Sequence, residues 1–247
     1  MSELQIAIAS NDIRNRTQLI DGAAFAPQDS TVVELTRKQV SARIAEIGVV
    51  PALRPRSAAE ALFVAEALAE AGVPIVEISV AEPSALEVIS RLKRHAAGMI
   101  VGAGSVFTVD AARRCLDAGA NFLSSDIFVP QVVELAAKEN VVMIPGALTP
   151  TEVMAAWTAG ADFVKVTPCD GPGPAYIRSL TAALPEARLI PAGGVNQNTA
   201  LSFMKAGATA LTAAEDLVPS EAIWLRQSNR IGELARRFRN AVTAGRD

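Results

Sequence analysis

One lysine lies within an apolar stretch of the chain, where a charged side chain is costly. Lys165 stands in the run Phe-Val-Lys-Val-Thr, which is typical of a short buried strand. Desolvation of an ammonium group disfavours its charged form, so a buried lysine suggests a specific role. A neutral amine can attack a carbonyl group and form a Schiff base. Lys165 is therefore the first candidate for catalysis.

A carboxylate in another apolar stretch is the natural partner of this lysine. Strand alternation places Glu77 opposite to Val76 and Ile78, and it places Lys165 on one side with Thr167. Because the outward-facing residues are apolar, both charged side chains are expected to point into one interior. A carboxylate there can move protons while a Schiff base forms and breaks. The alternative is a buried salt bridge with a purely structural role.

The choice of lysine bears on these alternatives. The chain has five lysines among its 23 basic residues, and Lys165 is the one that falls within a predicted strand. Arginine holds a carboxylate better than lysine does, because its planar guanidinium binds both oxygens. A structural pair had arginine available, so the use of lysine favours a catalytic role.

Short apolar runs alternate with helical patterns from residue 47 onward. The strands and helices that these patterns predict must position Lys165 and Glu77. Strands are predicted at 47–53, 73–80, 99–103, 121–125, 141–145, 162–166, 188–191 and 208–213. Helices are predicted to begin near residues 57, 83, 109, 130, 150, 174, 197 and 220. Eight such pairs predict an α/β protein with a (β/α)8 TIM barrel. A doubly wound open sheet is the alternative, but no glycine fingerprint follows the first strand.

Two further patterns concern the organisation of the chain. Glycines at 72, 119, 160 and 207 each follow an alanine and precede a strand, which predicts left-handed helix ends. Residues 1–30 lack a hydrophobic period and are interpreted as an N-terminal extension of uncertain order. Residues 31–46 are predicted to form a leading helix, and 31–247 are predicted to form a single barrel domain.

Active sites of such barrels lie at the C-terminal ends of the strands, which gives further candidates. Arg54, after the first strand, could clamp a substrate carboxylate or be a solvated arginine at the rim. Gly104 and Ser105, after the third strand, could offer N–H groups and a hydroxyl to an anion. The other candidate substrate-binding residues that follow strands are Pro145, Gly146, Thr167, Gly193, Gly194 and Glu215.

The last of these residues bear on a phosphate group. Many barrels bind phosphate with the loops after the seventh and eighth strands, and Gly193 and Gly194 fit that role. Glu215 follows the eighth strand, where its carboxylate would repel a phosphate.

Composition excludes several classes of partner. The net charge is −3 and the pI is about 5.4, so no nucleic acid is expected. No apolar run reaches the roughly 18 residues of a membrane span, and no signal peptide is evident, so no membrane association is expected. Cys115 and Cys169, the two cysteines, and the single His95 form no metal-ligand pattern. We therefore predict a cytoplasmic protein without a metal or cofactor.

With these residues located, the chain from residue 47 to 242 resembles the 2-keto-3-deoxy-6-phosphogluconate and 4-hydroxy-2-oxoglutarate aldolases. The resemblance is carried, in the family's order, by Val50-Pro51-Ala52-Leu53-Arg54, Val76-Glu77-Ile78-Ser79, Ile100-Val101-Gly102-Ala103-Gly104-Ser105-Val106, Ile144-Pro145-Gly146-Ala147-Leu148-Thr149-Pro150-Thr151-Glu152, Val164-Lys165-Val166-Thr167-Pro168, Gly173-Pro174-Ala175-Tyr176, Pro191-Ala192-Gly193-Gly194-Val195 and Asp216-Leu217-Val218.

The resemblance implies roles for particular residues. Lys165 would be the Schiff-base lysine and Glu77 the general acid/base, while Arg54 and Ser105 would hold the pyruvate-derived carboxylate. It also implies a metal-independent class I aldolase that acts on a small 2-oxo acid and forms a homotrimer.

Five positions depart from the family's pattern. Thr167 stands where the family commonly has Phe, Ala192 where it often has Thr, and Ala81 where many members have Arg. Asp126 replaces the usual Pro after the fourth strand, and Glu215 replaces the Ser of the phosphate site. The catalytic pair is retained while the distal pocket differs, so we expect aldolase chemistry on a substrate without a 6-phosphate.

The leading hypothesis is an aldolase that releases pyruvate from a 2-keto-3-deoxy sugar acid or a 4-hydroxy-2-oxo acid. The first alternative is a non-catalytic barrel that serves as a binding or assembly module, with the N-terminal extension contacting a partner. The second is a sugar-phosphate isomerase or epimerase on the same architecture, which does not need lysine as a nucleophile.

Overall fold

The computed structural model describes residues 34–247. The extension predicted at 1–30 and the start of the predicted leading helix lie outside the described residues. The strands are β1 (Val49–Leu53), β2 (Ile75–Ser79), β3 (Ile100–Gly104), β4 (Phe122–Ser124), β5 (Val142–Ile144), β6 (Gly146–Ala147), β7 (Val164–Val166), β8 (Leu189–Pro191) and β9 (Leu211–Ala213).

The helices alternate with these strands, as the sequence predicts. They are α1 (Arg37–Ile47), α2 (Ala58–Glu70), α3 (Ala85–His95), α4 (Val109–Asp117), α5 (Pro130–Lys138), α6 (Pro150–Thr158), α7 (Gly173–Ala183), α8 (Ala200–Lys205), α9 (Ser220–Trp224) and α10 (Ser228–Arg246). Each of the eight predicted apolar runs overlaps a strand, and one further strand, β6, follows the fifth run directly.

The leading helix begins later than predicted. Thr36 has an extended backbone and forms a capping box with Gln39, so α1 starts at Arg37. The hydroxyl of Thr36 accepts a hydrogen bond from the Gln39 N–H. This bond satisfies a donor of the first helical turn, so the helix begins directly after Thr36. The helix ends at Gly48, whose φ of 71° is left-handed.

The strands form two sheets in which every pairing is parallel. One sheet has the order β5-β4-β3-β2-β1-β9, and the other has the order β6-β7-β8. Pro145 alone separates β5 from β6 in the chain, and Ala192, directly after β8, forms a parallel bridge with Thr212 of β9. The α/β class with a curled parallel sheet is therefore confirmed.

The predicted left-handed glycines before strands are also confirmed. Gly72, Gly119, Gly160 and Gly207 have φ values of 77°, 99°, 97° and 99°. Each ends a helix and turns the chain back toward the sheet, which L residues with a side chain do only at a cost.

The strands are buried on both sides, as expected for a parallel sheet covered by helices. The largest fully buried side chains include four phenylalanines, which are Phe122, Phe163, Phe203 and Phe238. Among the described helices, none combines the length and the apolarity that crossing a bilayer takes.

Candidate active site

Lys165 and Glu77 meet inside the protein. Lys165 lies in the middle of β7 and Glu77 in the middle of β2. The Lys165 Nζ atom is 3.0 Å from Oε1 of Glu77 and 3.4 Å from its Oε2. Their side chains are only 3% and 7% exposed. The predicted meeting of the two side chains is confirmed, whereas their catalytic roles stay predictions.

Gly104 makes room for the carboxylate of this pair. A Cβ atom added to Gly104, the last residue of β3, would collide with the Glu77 carboxylate. The strand register explains this, because Glu77 pairs with Gly102 and Ser79 with Gly104 on the neighbouring strand. The absence of a side chain at Gly104 thus determines where Glu77 can lie, a role that the sequence did not predict.

A third charged group reaches the lysine, and sequence reasoning did not include it among the site residues. Asp126 follows β4, and its Oδ1 atom is 3.5 Å from Lys165 Nζ. Its Oδ2 atom accepts a hydrogen bond from the Ser105 hydroxyl. The Asp126 side chain is 47% exposed, so it lies on the open side of the lysine. A carboxylate close to the C-terminal end of a parallel strand was the signal that could have found it.

The predicted site residues Pro145 and Gly146 support this arrangement through the backbone. The carbonyl of Pro145 accepts a hydrogen bond of 2.9 Å from the Lys165 N–H, which ties β7 to the end of β5. A Cβ atom on Gly146 would collide with the backbone of Asp126 and Ile127. Gly146 therefore permits the loop after β4 to approach, and this approach brings Asp126 to the lysine.

The loop that carries Asp126 has its own internal hydrogen bonds. The Ser125 hydroxyl donates to the Ile127 carbonyl at 2.6 Å, and the Ser125 N–H donates to the Ile144 carbonyl at 3.1 Å. Ser125 is fully buried, so these bonds are shielded from water. The backbone that carries the Asp126 side chain is therefore fixed by the hydrogen bonds of Ser125.

The loops after β7 and β8 lie against each other. The Thr167 N–H donates to the Ala147 carbonyl at 3.0 Å. Gly193 and Gly194 have φ values of 88° and 66°, which glycine adopts at no steric cost. A Cβ atom on Gly193 would collide with the carboxylate of Asp170, so this carboxylate lies over the glycine loop.

Glu215 binds the start of a short helix. Its Oε1 atom accepts a hydrogen bond of 2.7 Å from the Ser220 N–H, and its Oε2 atom accepts one of 2.8 Å from the Ser220 hydroxyl. Ser220 is the first residue of α9, where N–H groups lack intrahelical partners. A carboxylate of the protein itself thus satisfies donors that would otherwise be available to an anion.

Arg54, the predicted carboxylate clamp, lies directly after β1. It is exposed and lines a groove together with Arg56, Glu60, Ser220 and Trp224, among others. Within residues 34–247, Arg54 takes part in no ion pair and no side-chain hydrogen bond, whereas Arg56 pairs with Glu60 at 2.9 Å. No contact joins Arg54 to the Lys165–Glu77 pair in this part of the chain, so its role as a carboxylate clamp stays a prediction.

Cys169 lies close to the site in sequence but is closed off from solvent. Its side chain is buried, and its Sγ atom donates to the Val166 carbonyl at 3.2 Å. Burial raises the pKa of the Cys169 thiol to about 11. The thiol is therefore protonated at neutral pH and is a poor nucleophile. Across residues 34–247, the structure contains no cluster of three or more metal-ligating side chains.

Parallel strands bring the buried amine of Lys165 and the carboxylate of Glu77 together. The chain is therefore an α/β protein with a candidate lysine nucleophile. A family model described as aldolase, KDPG and KHG aldolase, matches residues 40–234. Because this match spans well over half of the sequence, the chain belongs to the KDPG and KHG aldolase family. The family predicted from the sequence is confirmed.

Individual relatives agree with this assignment. A probable 2-dehydro-3-deoxy-6-phosphogalactonate aldolase from Rhizobium meliloti is 35% identical over 61% of this chain and 71% of its own length. A 2-dehydro-3-deoxy-phosphogluconate aldolase from Treponema pallidum is 28% identical over 72% of this chain and 85% of its own. A solved 4-hydroxy-2-oxoglutarate/2-dehydro-3-deoxyphosphogluconate aldolase superposes with a TM-score of 0.74 at 28% identity, covering 82% of this chain and 98% of that one.

Proposed function

We propose that this protein is a class I aldolase that uses Lys165 as its nucleophile. It cleaves a 2-keto-3-deoxy sugar acid or a 4-hydroxy-2-oxo acid to pyruvate and an aldehyde. The observation that carries the proposal is the buried contact of 3.0 Å between Lys165 Nζ and Glu77 Oε1, in a chain of the aldolase family.

The contact provides for the first steps of the reaction. An ammonium group must lose a proton before it attacks, and Glu77 is within hydrogen-bonding distance to accept it. The Lys165 amine then attacks C2 of the substrate, and a proton passes from the attacking nitrogen to the C2 oxygen to give a neutral carbinolamine. Loss of that oxygen as water, with a proton supplied by the carboxyl group of Glu77, leaves an iminium ion.

The iminium ion accepts the electrons of the breaking carbon–carbon bond. The C4 hydroxyl gives up its proton, the C3–C4 bond breaks, and C4 leaves as an aldehyde. The electron pair of that bond forms an enamine, which neutralises the nitrogen. Protonation at C3 restores the iminium ion, and water releases pyruvate and the free amine. A buried site aids these steps because charge interactions are stronger in a low dielectric.

We further propose that the two sheets are one closed (β/α)8 barrel. In this interpretation β5 and β6 are two halves of one strand, interrupted at Pro145 because proline has no N–H to donate. Two contacts support closure on the other side, the bridge between Ala192 and Thr212 and the hydrogen bond of 2.8 Å from the Thr209 N–H to the Leu189 carbonyl. Closure directs the ends of all eight strands toward one mouth.

For the distal end of the substrate we propose a group that is not phosphorylated. The Asp170 carboxylate lies over Gly193, and Glu215 binds the donors of Ser220. Two carboxylates near the loops after β8 and β9 would repel a phosphate. The phosphorylated substrate in the name of the Rhizobium meliloti relative belongs to that protein.

The family resemblance implies a homotrimer and the composition predicts a cytoplasmic protein, and we retain both as proposals. Light scattering coupled to size-exclusion chromatography tests the trimer, with a mass of three chains of 25.8 kDa as the expected result.

Borohydride trapping tests the proposed chemistry. The full chain is incubated with pyruvate and sodium borohydride, and the adduct is located by peptide mass spectrometry. We expect a reduced pyruvyl adduct on Lys165. Lys165→Arg should remove it, whereas Lys205→Arg, at an exposed lysine of α8, should not.

Absence of an adduct on Lys165 in the unmodified protein would contradict the proposal. Retention of the physiological activity by Lys165→Arg would instead support the non-catalytic barrel or the isomerase. Pyruvate release is then compared between 2-keto-3-deoxygluconate, its 6-phosphate and 4-hydroxy-2-oxoglutarate, and the 6-phosphate should hold no advantage.

A further inference from the structure

Two carboxylates approach the same lysine nitrogen from different surroundings. Glu77 comes from the middle of a strand, has both oxygens within 3.4 Å of Nζ, and has a side chain that is 7% exposed. Asp126 comes from a loop, lies 3.5 Å from Nζ through one oxygen, and is 47% exposed. The lysine is therefore flanked by one carboxylate on the closed side and one on the open side.

The second oxygen of Asp126 is also engaged, because it accepts the Ser105 hydroxyl. A serine hydroxyl has one proton to donate, so Ser105 does not offer that proton to a substrate carboxylate while this bond exists. This differs from the role that the family resemblance implies for Ser105. The hydrogen bond instead orients the Asp126 carboxylate, leaving Oδ1 directed at the reacting nitrogen.

The backbone beneath Asp126 is held as well. Ser125 and Gly146 bind the Ile127 carbonyl from two sides, at 2.6 Å and 3.4 Å. The backbone of this loop is fixed by hydrogen bonds, and the Asp126 carboxylate accepts a hydrogen bond from the Ser105 hydroxyl. The carboxylate is therefore pre-organised before substrate binds. Pre-organised groups at reacting atoms are what efficient proton transfer needs.

We propose that Asp126 is a second acid/base residue of this aldolase, and that it accepts the proton of the substrate's C4 hydroxyl during bond cleavage. This inference rests on the proposed Schiff-base chemistry at Lys165. It divides the proton transfers of the site between two carboxylates. Glu77 serves Nζ and the C2 oxygen, while Asp126 serves the carbon that becomes the aldehyde.

The O–H bond of the C4 hydroxyl breaks and its proton moves to Asp126. The oxygen electron pair forms the C4=O double bond of the aldehyde, and the C3–C4 bond breaks. Its electrons form the C2=C3 double bond of the enamine, while the C2=N electrons return to nitrogen. Asp126 then holds one additional proton, which it returns to solvent when the product leaves.

The positions of the two carboxylates favour Asp126 over Glu77 for this step. We expect substrate to reach Nζ from the side of Asp126, because that side chain is 47% exposed whereas the Glu77 side chain is 7% exposed. The atoms beyond C3 therefore extend toward the exposed side, where Asp126 lies. The Glu77 carboxylate also lies in the space that the missing side chain of Gly104 leaves, against β3.

Two reactions of the unmodified enzyme separate the roles. Exchange of the methyl protons of pyruvate for deuterium requires the Schiff base and a base at C3, but it involves no C4 hydroxyl. Cleavage requires both carboxylates. Exchange is followed by proton NMR in deuterium oxide, and cleavage by pyruvate release from 4-hydroxy-2-oxoglutarate or from whichever of the two 2-keto-3-deoxy acids is cleaved fastest.

We expect Asp126→Asn to lower the ratio of cleavage to exchange about 100-fold, within the range for loss of one general base. Glu77→Gln should lower both reactions and leave their ratio within a few-fold of the unmodified value. Asp110→Asn removes an equal charge from an exposed residue of α4 and should change neither. A variant that exchanges pyruvate protons has a folded site, so exchange also controls for misfolding.

An unchanged ratio in Asp126→Asn, with exchange intact, would overturn the role of Asp126 and leave the proposed aldolase standing. An equal fall of both reactions would also overturn it, because Asp126 would then act in Schiff-base formation. Absence of exchange, or exchange without cleavage of any of the three substrates, in the unmodified enzyme would contradict the proposed function itself.

Discussion

The Lys165–Glu77 pair and the rim around it differ in how they are positioned. The pair lies on two strands, is almost fully buried, and has its direction set by strand alternation. The rim residues Ser105, Asp126 and Glu215 lie on loops and are placed by hydrogen bonds, Ser105 with Asp126 and Glu215 with Ser220. The interior is thus specified by strand alternation and the rim by hydrogen bonds of loop residues.

This difference matches a division of function. Strands give a rigid support for the groups that make and break bonds, while loops vary and determine which substrate is accepted. In this chain the interior retains the lysine and carboxylate, whereas the rim carries additional negative charge from Asp126, Asp170 and Glu215. The following predictions test that division, from the largest expected effect to the smallest.

Replacing the interior pair as a unit should abolish activity without unfolding the protein. In the double variant Lys165→Met, Glu77→Leu, we expect cleavage to fall at least about 10⁴-fold, because the nucleophile is absent. The free energy of unfolding should stay equal or rise by about 1–4 kcal/mol, because burying an ion pair costs desolvation energy. Urea denaturation and a pyruvate-release assay measure the two effects.

A large loss of stability in that double variant would show that the pair has a structural role. The single variant Lys165→Met is the control, since it leaves Glu77 buried beside a methionine. It should be less stable than the double variant.

Displacing the loop after β4 should change the position of Asp126 at the rim. Gly146→Ala places a methyl group against the backbone of Asp126 and Ile127, so the loop must move. We expect cleavage to fall about 100-fold, because small displacements of reacting groups are costly. Gly171→Ala is the matched control, since no atom lies within 4 Å of the added group. Equal activities of the two variants would disprove the positioning role of Gly146.

Removing the carboxylate at residue 215 should alter substrate preference. For Glu215→Ser we expect the ratio of kcat/KM for the 6-phosphate over 2-keto-3-deoxygluconate to rise about tenfold, since loss of a like charge that removes about 1.4 kcal/mol of repulsion changes the ratio by that factor. The rise should shrink in high salt. Asp216→Ser, at the exposed neighbouring residue, is the control, and an equal rise there would point to net charge instead.

The buried thiols should give the smallest response. Burial raises the pKa values of Cys115 and Cys169 to about 11, so at pH 8 roughly one thiol in 1,000 is a thiolate. We expect almost no alkylation by iodoacetamide at pH 8 in the folded protein, an increase as pH approaches 11, and complete reaction in urea. Fast alkylation of Cys169 at pH 8 would show that the region next to Lys165 opens to solvent.

Sequence reasoning succeeded for features that a single segment of the chain determines. The strands around Glu77 and Lys165 have apolar alternation, so the inward direction of both residues followed from period two. The left-handed glycines followed in the same way, since each lies between a helix and a strand. The start of α1 was misplaced because the capping box of Thr36 with Gln39 outweighs the apolar residues before it.

It succeeded less at the rim. Arg54 lies in a groove with Trp224 and Ser220, and its expected role as a carboxylate clamp stays a prediction. Asp126 was noted only as a departure from the family, although it reaches the reacting nitrogen. A loop residue has no periodicity that indicates its direction, and its partners are distant in the chain.

The sequence by itself determined the parallel α/β architecture, the family, and the pairing of Lys165 with Glu77, because strand alternation and helix ends are local properties. Only the tertiary structure decided that Asp126 joins that pair and that Glu215 binds Ser220. The contact of Asp126 depends on how closely the loop after β4 approaches Gly146, whose missing side chain leaves room for it. Such a distance arises from packing between segments that are far apart in the chain, and no short stretch of sequence encodes it.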